Sequence, residues 1–388
     1  MKRFVFHPRT QVVFGEGALE STSEYLDFAD RFLVVTGRGS AVRHGHLERL
    51  LSFLGGKVGA VYSEVSANPR ISEVEEAAEF GRKEGCQAVV GLGGGSAMDA
   101  AKGVAVAIAG DEEIETIFAK DIAAPATTLP IVAIPTTAGT GSETSRAAIL
   151  TDEKRGIKKG LRGDKLLPAV AVVDPELTYT VPRKITAETG FDIFSHAVET
   201  WVSRKSNMLT AMYSREAIRR VVRWLPVVLD EPGRAEARRE LMFASMLMGM
   251  NLAHSSTCLP HRLQYPVGAR TDTSHPAGLA AIYPAWCEQT WPHAEEVFSE
   301  IVSICKPGTA AAGEAPRVVE DFLARIELVD SLTNLGVTEE MCRSMVCEVS
   351  GSLDNDPGNT SSEALLRIYL ASLNRNSKTI PPPCKQFS

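Results

Sequence analysis

The first half of the chain alternates short apolar runs with segments of helical periodicity. Apolar runs of strand length lie at residues 12–14, 31–36, 58–64, 88–91 and 130–134. Helical patterns separate several of them, at residues 47–54, 71–84 and 97–109. Strands joined through helices predict a parallel, doubly wound sheet, and such a sheet binds ligands in the loops that follow its strands.

The second half of the chain has a different pattern. Residues 186–226 and 235–268 carry long helical patterns and lack the alternation that is typical of strands. We therefore predict an α/β domain over residues 1–182 and an all-helical domain over residues 183–388. Two domains also suit the length, because 388 residues exceed what one typical hydrophobic core serves.

Composition narrows the classes of function. The net charge is −7 and the sequence has no basic stripe, which argues against nucleic acid or an anionic membrane as a partner. Even the apolar stretch 89–108 is interrupted by glycines, Asp99 and Lys102, so no membrane span is expected. The seven cysteines are scattered and odd in number, which favours a reducing compartment and predicts a cytoplasmic protein.

A candidate metal site begins with Asp192 and His196. They stand four residues apart in a segment of helical pattern, so their side chains project from one face. A carboxylate and an imidazole directed at one point suit a divalent transition metal, and His261 and His275 could complete the set of ligands. The alternative is an ordinary surface pair of Asp and His, and two loops upstream argue against it.

Both loops follow predicted strands. Residues 91–96 read GLGGGS and lead into a predicted helix, so their backbone amides form an anion site suited to a pyrophosphate. This loop departs from the pattern GxGxxG because Ser96 stands at the last glycine position. Residues 135–143, PTTAGTGSE, offer three threonines, a serine and two glycines. A turn needed only for packing is the alternative for each loop, but two such loops on one sheet favour a bound dinucleotide.

The loop at residues 37–40, GRGS, is expected to meet the adenosine end of that dinucleotide. An acidic residue usually binds a free ribose 2′-hydroxyl at this place, whereas a 2′-phosphate requires donors and no acid. Gly37, Arg38 and Ser40 therefore favour NADP(H), with Arg38 and Ser40 as phosphate contacts and NAD(H) as the alternative.

Four segments together resemble the iron-containing, group III alcohol dehydrogenases. They are GGGSAMDAAK at 93–102, PTTAGTGSE at 135–143, FDIFSHAVE at 191–199 and SHPAGLA at 274–280. The resemblance extends from about residue 4 to residue 286. It implies a dehydroquinate synthase-like architecture, with an N-terminal dinucleotide-binding α/β domain, an all-helical C-terminal domain and a metal in the cleft between them.

The resemblance also implies roles for individual residues. The implied metal ligands are Asp192, His196, His261 and His275. The implied cofactor contacts are Gly94, Gly95, Ser96, Asp99, Thr136, Thr137, Thr140, Ser142 and Lys158. Many members carry a second histidine four residues after the third ligand, which is thought to relay protons. This sequence has Tyr265 there, and Tyr265 is the candidate catalytic residue in its place.

The resulting hypothesis is an NADP(H)-dependent alcohol dehydrogenase or aldehyde reductase that contains Fe²⁺ or Zn²⁺ and forms a homodimer. Arg262 and Arg270 lie close to the ligands in sequence, which raises the alternative of a carboxylated, sulfonated or phosphonated aldehyde as substrate. Three further alternatives are a maleylacetate reductase-like enzyme, a dehydroquinate synthase-like lyase and a catalytically silent binding protein.

Overall fold

The computed structural model describes residues 3–110 and 112–374. Its strands are β1 Gln11–Phe14, β2 Phe32–Gly37, β3 Val58–Val65, β4 Ala88–Gly93, β5 Ile131–Pro135, β6 Ala147–Asp152, β7 Ile157–Arg162 and β8 Val170–Val173. Six of them form a parallel sheet in the order β1-β8-β5-β4-β2-β3. Strands β6 and β7 form a separate antiparallel hairpin.

The parallel sheet is buried on both faces. Successive residues of one strand enter different cores: Leu33 and Val35 of β2 pack with one cluster, whereas Phe32 and Val34 pack with the other. This division follows from the alternation of side chains along a strand, and it explains why β2, β4, β5 and β8 are almost wholly apolar. The predicted doubly wound α/β fold is therefore confirmed.

The helices form one group in each half of the chain, and the longest of the described helices lie in the second group. The first group is α1 Ser40–Arg43, α2 His46–Leu54, α3 Ile71–Lys83, α4 Gly95–Ala109 and α5 Ile114–Ala119. The second group is α6 Arg183–Val202, α7 Met208–Asp230, α8 Ala235–His254, α9 Leu259–Thr271, α10 His275–Thr290, α11 Glu295–Cys305, α12 Ala315–Arg325, α13 Glu339–Met345 and α14 Ser362–Leu373. From Arg183 onward the described chain has helices and no strand, as predicted. None of the described helices combines the length and apolar character needed to cross a membrane.

The hairpin and the last sheet strand are absent from the sequence prediction. Strand β6 alternates half-buried and buried positions, and β7 contains Lys158 and Lys159, so the hairpin lacks the continuous apolar run of the central strands. Strand β8 has only four residues, and β1 and β5 flank it within the sheet.

Two glycines allow the sheet half and the helical half to touch backbone to backbone. Gly141 follows β5 with a positive φ of 65°, and a side chain there would clash with the backbone of Gly249 in α8. Two hydrogen bonds reinforce the contact: Gly139 N donates to Ser245 Oγ, and Thr144 Oγ1 donates to the Met246 carbonyl, both at 2.9 Å.

Candidate active site

Helix α6 carries the first part of the site. Asp192 and His196 lie one turn apart on its buried side, and Glu199 follows within the same helix. Neighbouring aromatic residues fix the helix in place, because Phe191 and Phe194 pack on Tyr283 of α10. The Tyr283 hydroxyl also donates to the Ser195 carbonyl at 3.0 Å.

Two further histidines approach Asp192 from other helices. His261 lies in the first turn of α9, and His275 is the first residue of α10. The ligand atoms of Asp192, His261 and His275 all lie within 4.8 Å of one another. His196 lies at the edge of this group, with its Nδ1 3.8 Å from Asp192 Oδ1 and its ring stacked on His261. The structure thus brings the four predicted ligands, which are 83 residues apart from first to last (275 − 192), into one place.

The donor atoms of this group suit a bound metal ion. Asp192 Oδ1 is 3.8 Å from His261 Nε2 and 3.9 Å from His275 Nε2, too far for hydrogen bonds. Two ligands about 2.1 Å from one tetrahedral ion are themselves about 3.4 Å apart, close to these separations. Asp192 Oδ1, His196 Nδ1 and His261 Nε2 are buried and have no hydrogen-bond partner among the described residues. Such atoms are costly unless a cation or donor satisfies them, so the residues fit a divalent metal.

Hydrogen-bond acceptors at Nδ1 orient the rings of His261 and His275. Glu199 Oε1 is 2.7 Å from His261 Nδ1, and Gln264 Oε1 bonds to His275 Nδ1. These acceptors assign the ring protons to Nδ1 and leave each Nε2 free as a ligand atom. The sequence analysis does not predict Gln264, although a glutamine three residues after His261 on a buried helix was a usable signal.

Burial keeps these imidazoles neutral. It lowers the pKa of His261 well below its usual value, and the neighbouring His196 and His275 lower it further. Burial also lowers the pKa of His275 well below its usual value, and Lys158 adds to this effect. A neutral imidazole is the form that binds metal.

The start of α9 is fixed by residues distant in sequence. Glu199 Oε2 accepts from the Cys258 amide at 2.8 Å. Asp356 Oδ2 accepts from the Leu259 amide at 2.9 Å and from Trp286 Nε1 at 2.8 Å. These carboxylates satisfy amides of the first turn that a helix leaves free, and they hold His261 at a defined position.

Tyr265 lies on the same helix as His261 and its ring stacks near His275, with centroids 6.3 Å apart. Its hydroxyl accepts a hydrogen bond from Arg262 Nη1 at 3.2 Å. The two arginines of the sequence hypothesis differ: Arg262 is buried, whereas Arg270 forms an ion pair with Glu348 near the surface. Arg270 therefore does not face the metal ligands as a free cation.

The two predicted loops lie side by side. Strands β4 and β5 pair so that Gly93 is opposite Pro135, and the Thr136 amide donates to the Gly93 carbonyl at 2.9 Å. Gly94 and Gly95 begin α4. A Cβ on Gly95 would lie 2.8 Å from Thr140 Oγ1, and one on Gly94 would lie 3.3 Å from Thr137 Oγ1. A side chain at position 95 would therefore displace Thr140, whereas one at position 94 would crowd Thr137 more mildly.

Some predicted cofactor contacts bond within the protein. Ser142 Oγ donates to Asp99 Oδ1 at 2.6 Å, and Asp99 Oδ2 accepts from the Ile149 amide at 2.8 Å. Ser96 Oγ donates to the Ala67 carbonyl at 2.5 Å. Lys102 Nζ donates to the carbonyls of Ser142, Ser145 and Ala147. In the described structure the side chains of Asp99, Ser96 and Ser142 thus join the two loops to the rest of the sheet half.

The loop at residues 37–40, predicted to meet the adenosine, leads into α1. Ser40 begins α1, and Arg38 Nε donates to the Glu64 carbonyl at 2.9 Å. Arg38 also lies 3.4 Å from the Glu73 carboxylate. This acid comes from α3, beyond the loop itself, and the sequence analysis does not anticipate it.

Lys158 on the hairpin is linked to the helical half through one asparagine. Its Nζ donates to Asn68 Oδ1 at 2.8 Å, and Asn68 Nδ2 donates to Asp272 Oδ1 at 2.8 Å. Asp272 lies three residues before His275. Asn68 is another residue that the sequence analysis does not single out.

Comparisons with known proteins agree with this geometry. The family model "Iron-containing alcohol dehydrogenase" matches residues 8–175, and the model for the C-terminal part of that family matches residues 186–373. The long-chain primary alcohol dehydrogenase AdhA of Thermoanaerobacter ethanolicus is 30% identical, over 95% of this chain and 97% of its own.

Two solved structures extend the comparison. An iron-containing alcohol dehydrogenase of Thermotoga maritima has a TM-score of 0.85 at 33% identity and covers 96% of this chain and 99% of its own. The sulfoacetaldehyde reductase of Bifidobacterium kashiwanohense, solved with NAD⁺, has a TM-score of 0.87 at 30% identity and covers 97% of this chain and 100% of its own.

Proposed function

The chain belongs to the iron-containing alcohol dehydrogenase family, and from this premise we propose that it is an NADP(H)-dependent, metal-containing aldehyde reductase that also oxidises the corresponding alcohol. The observation that carries the proposal is the convergence of Asp192, His261 and His275, with unpartnered atoms on Asp192 and His261, in a chain that also carries two loops suited to a dinucleotide. The names of the relatives cover long-chain alcohols and sulfoacetaldehyde, so they leave the substrate open.

We propose that Asp192, His196, His261 and His275 hold Fe²⁺, with Zn²⁺ as the alternative. When bound, such an ion polarises a substrate carbonyl while the nicotinamide supplies or accepts hydride. The chain itself contributes orientation. Glu199 and Gln264 fix the tautomers of His261 and His275. In this proposal the hydroxyl of Tyr265, whose ring stacks near His275, would give or take the proton of the substrate oxygen.

For the cofactor, the proposal assigns the pyrophosphate to the amides of Gly94, Gly95 and Ser96. The threonine loop, with Thr136, Thr137 and Thr140, would face the phosphates and nicotinamide, and Lys158 the ribose. Asp99 and Ser142 would support that loop through their mutual hydrogen bond.

The NADP(H) preference depends on Arg38 and Ser40, and the carboxylate of Glu73 beside Arg38 opposes it. Steady-state kinetics with NADPH and NADH tests the preference. We expect kcat/KM to favour NADPH about tenfold or more, and Arg38→Met to remove that preference. Arg31→Met, at the opposite end of β2 and paired with Glu84, is the matched control. A wild-type preference for NADH would reject the NADP(H) part alone.

The decisive experiment combines metal analysis of the purified protein with NADPH oxidation against a panel of small aldehydes. Turnover is expected to disappear on chelation and to return with Fe²⁺ or Zn²⁺. Turnover that persists without metal would favour the maleylacetate reductase-like alternative. Absence of any net NADPH oxidation would favour the dehydroquinate synthase-like lyase. A homodimer in the cytoplasm remains part of the proposal, and sedimentation and cell fractionation test those two parts.

A further inference from the structure

Arg262 is a buried cation without a counter-ion. Its side chain is 2% exposed, its Nε has no hydrogen-bond partner, and no carboxylate among residues 3–110 and 112–374 lies within 4.0 Å of it. One hydrogen bond, from Nη1 to the Tyr265 hydroxyl, is recorded for its guanidinium. Arginine stays protonated in proteins, so it cannot avoid the cost of burial by losing its proton.

Other buried cations of this chain are satisfied. Lys102 is completely buried but donates to three backbone carbonyls. Arg238 is 4% exposed and donates to the carbonyls of Pro232 and Val181 and to Thr186 Oγ1. On the helix of Arg262 itself, the exposed Arg270 has Glu348 as its partner. The fold therefore satisfies the buried charges of Lys102 and Arg238, and Arg262 differs from both.

The carboxylate of Glu199, which senses the charge of Arg262, is already used. Glu199 feels the charge of Arg262, but its two oxygens bond to His261 Nδ1 and to the Cys258 amide. Asp192 faces the three histidines. Neither residue is free to neutralise Arg262.

A second guanidinium adds to the positive charge. Arg162 is an exposed residue on β7, a strand that contacts α9, and partial desolvation and then the charge of Arg262 lower its pKa. Among the described residues Arg162, like Arg262, has no ion pair. Two like charges held near one another, next to the metal ligands, create a site that favours an anion.

We propose that Arg262 binds an anionic group of the substrate, so that the enzyme acts on an aldehyde or alcohol carrying a carboxylate, sulfonate or phosphonate. The inference rests on the proposed function, because it concerns the same site. The Tyr265 hydroxyl takes one guanidinium nitrogen, and the remaining donors of Arg262 are available for an oxyanion. Arg262 bonds to Tyr265, whose ring stacks near His275, so one small molecule would carry both the anionic group and the reacting carbonyl.

The test is the ratio of kcat/KM for succinic semialdehyde to that for butanal, a neutral aldehyde of the same chain length. Sulfoacetaldehyde and phosphonoacetaldehyde, each compared with butanal, distinguish the three anionic groups. We expect at least one ratio of about 100 or more in the wild type. Arg262→Met should lower that ratio about 100-fold, Arg262→Lys should restore part of it, and Arg270→Met should leave it unchanged.

A binding measurement separates this inference from the proposed function. Calorimetric titration with propionate, ethanesulfonate and neutral 1-propanol needs no turnover. We expect an anion to bind the wild type and the Arg270→Met variant at least tenfold more tightly than 1-propanol, and Arg262→Met to lose this difference.

Each outcome decides one of the two claims. Equal kcat/KM values for anionic and neutral aldehydes, or an Arg262→Met variant that keeps the wild-type ratio, would overturn the role of Arg262 while the reductase activity stands. If no aldehyde is reduced, the proposed function fails, and the titration alone decides whether Arg262 binds an anion. A uniform loss with every aldehyde in Arg262→Met would mean that Arg262 acts only through Tyr265.

Discussion

Two groups of buried polar side chains, one in each half of the molecule, differ in how they are satisfied. In the sheet half, Lys102 and Ser142 donate to a backbone carbonyl and to Asp99, respectively, and Asp99 also accepts from a backbone amide. In the helical half, Asp192 Oδ1 and His261 Nε2 are also buried but have no hydrogen-bond partner among the described residues. The difference indicates that the loop residues Lys102, Asp99 and Ser142 stabilise the fold through their own contacts, whereas Asp192 and His261 leave atoms that a bound ion can satisfy.

The largest expected effect separates two histidines of the helical half. His261→Ala should remove stoichiometric metal and lower kcat/KM at least about 1000-fold, equivalent to about 4 kcal/mol of transition-state stabilisation. His254→Ala is the control, because His254 packs on Phe6 and is seven residues before His261. Metal analysis and steady-state kinetics on both variants test this expectation. Equal losses in the two would contradict the comparison.

The next effect contrasts two buried cations. Lys102→Met leaves three carbonyls without their donor, and we expect the free energy of unfolding to fall by about 3 kcal/mol. Arg262→Met removes an unpaired buried charge, and we expect the ligand-free protein to become more stable by about 1 kcal/mol. Chemical denaturation under chelating conditions measures both, with the exposed Lys120→Met as control. If the free energy of unfolding changed in the same direction in Lys102→Met and Arg262→Met, the contrast between these two cations would be wrong.

A smaller effect is expected at Glu199. Glu199→Ala removes the acceptor of His261 Nδ1, so the ring loses its fixed tautomer and metal affinity should fall about 10- to 100-fold. Competition with a chelator measures the affinity. Glu199→Gln keeps an acceptor and should lose less. An unchanged affinity in Glu199→Ala would assign this residue to the support of Cys258 alone.

Glu143 gives the smallest effect and, in contrast to Asp99 of the same half, is a buried carboxylate without a hydrogen-bond partner among the described residues. It is buried with neither carboxylate oxygen in a well-formed hydrogen bond, and burial raises its pKa to about 7, against the opposing charge of Lys102. The folded state therefore holds this proton more tightly than the unfolded state, and stability falls as pH rises through 7. We expect a loss of about 1 kcal/mol between pH 6 and pH 8. Glu143→Gln should flatten this part of the pH profile, which thermal denaturation would reveal.

The sequence predicts the central strands and the loops after them because continuous apolar runs and clustered glycines are local signals. It does not predict the hairpin β6–β7, whose lysines and half-buried positions resemble an exposed loop. The candidate metal ligands could be named from the family resemblance and from their spacing. The sequence could not show that Arg270 has an ion-pair partner and that Arg262 has none among the described residues, because the partner of Arg270 is Glu348, 78 residues away in the chain.

The contact between Gly141 and Gly249 limits how the two halves can be recombined. A Cβ on either residue would collide with the backbone of the other, so the contact tolerates no side chain. A chimera that takes its helical half from a relative therefore needs glycine at both positions, however well the remaining surfaces match. The two halves fit together at this point only because neither residue has a side chain.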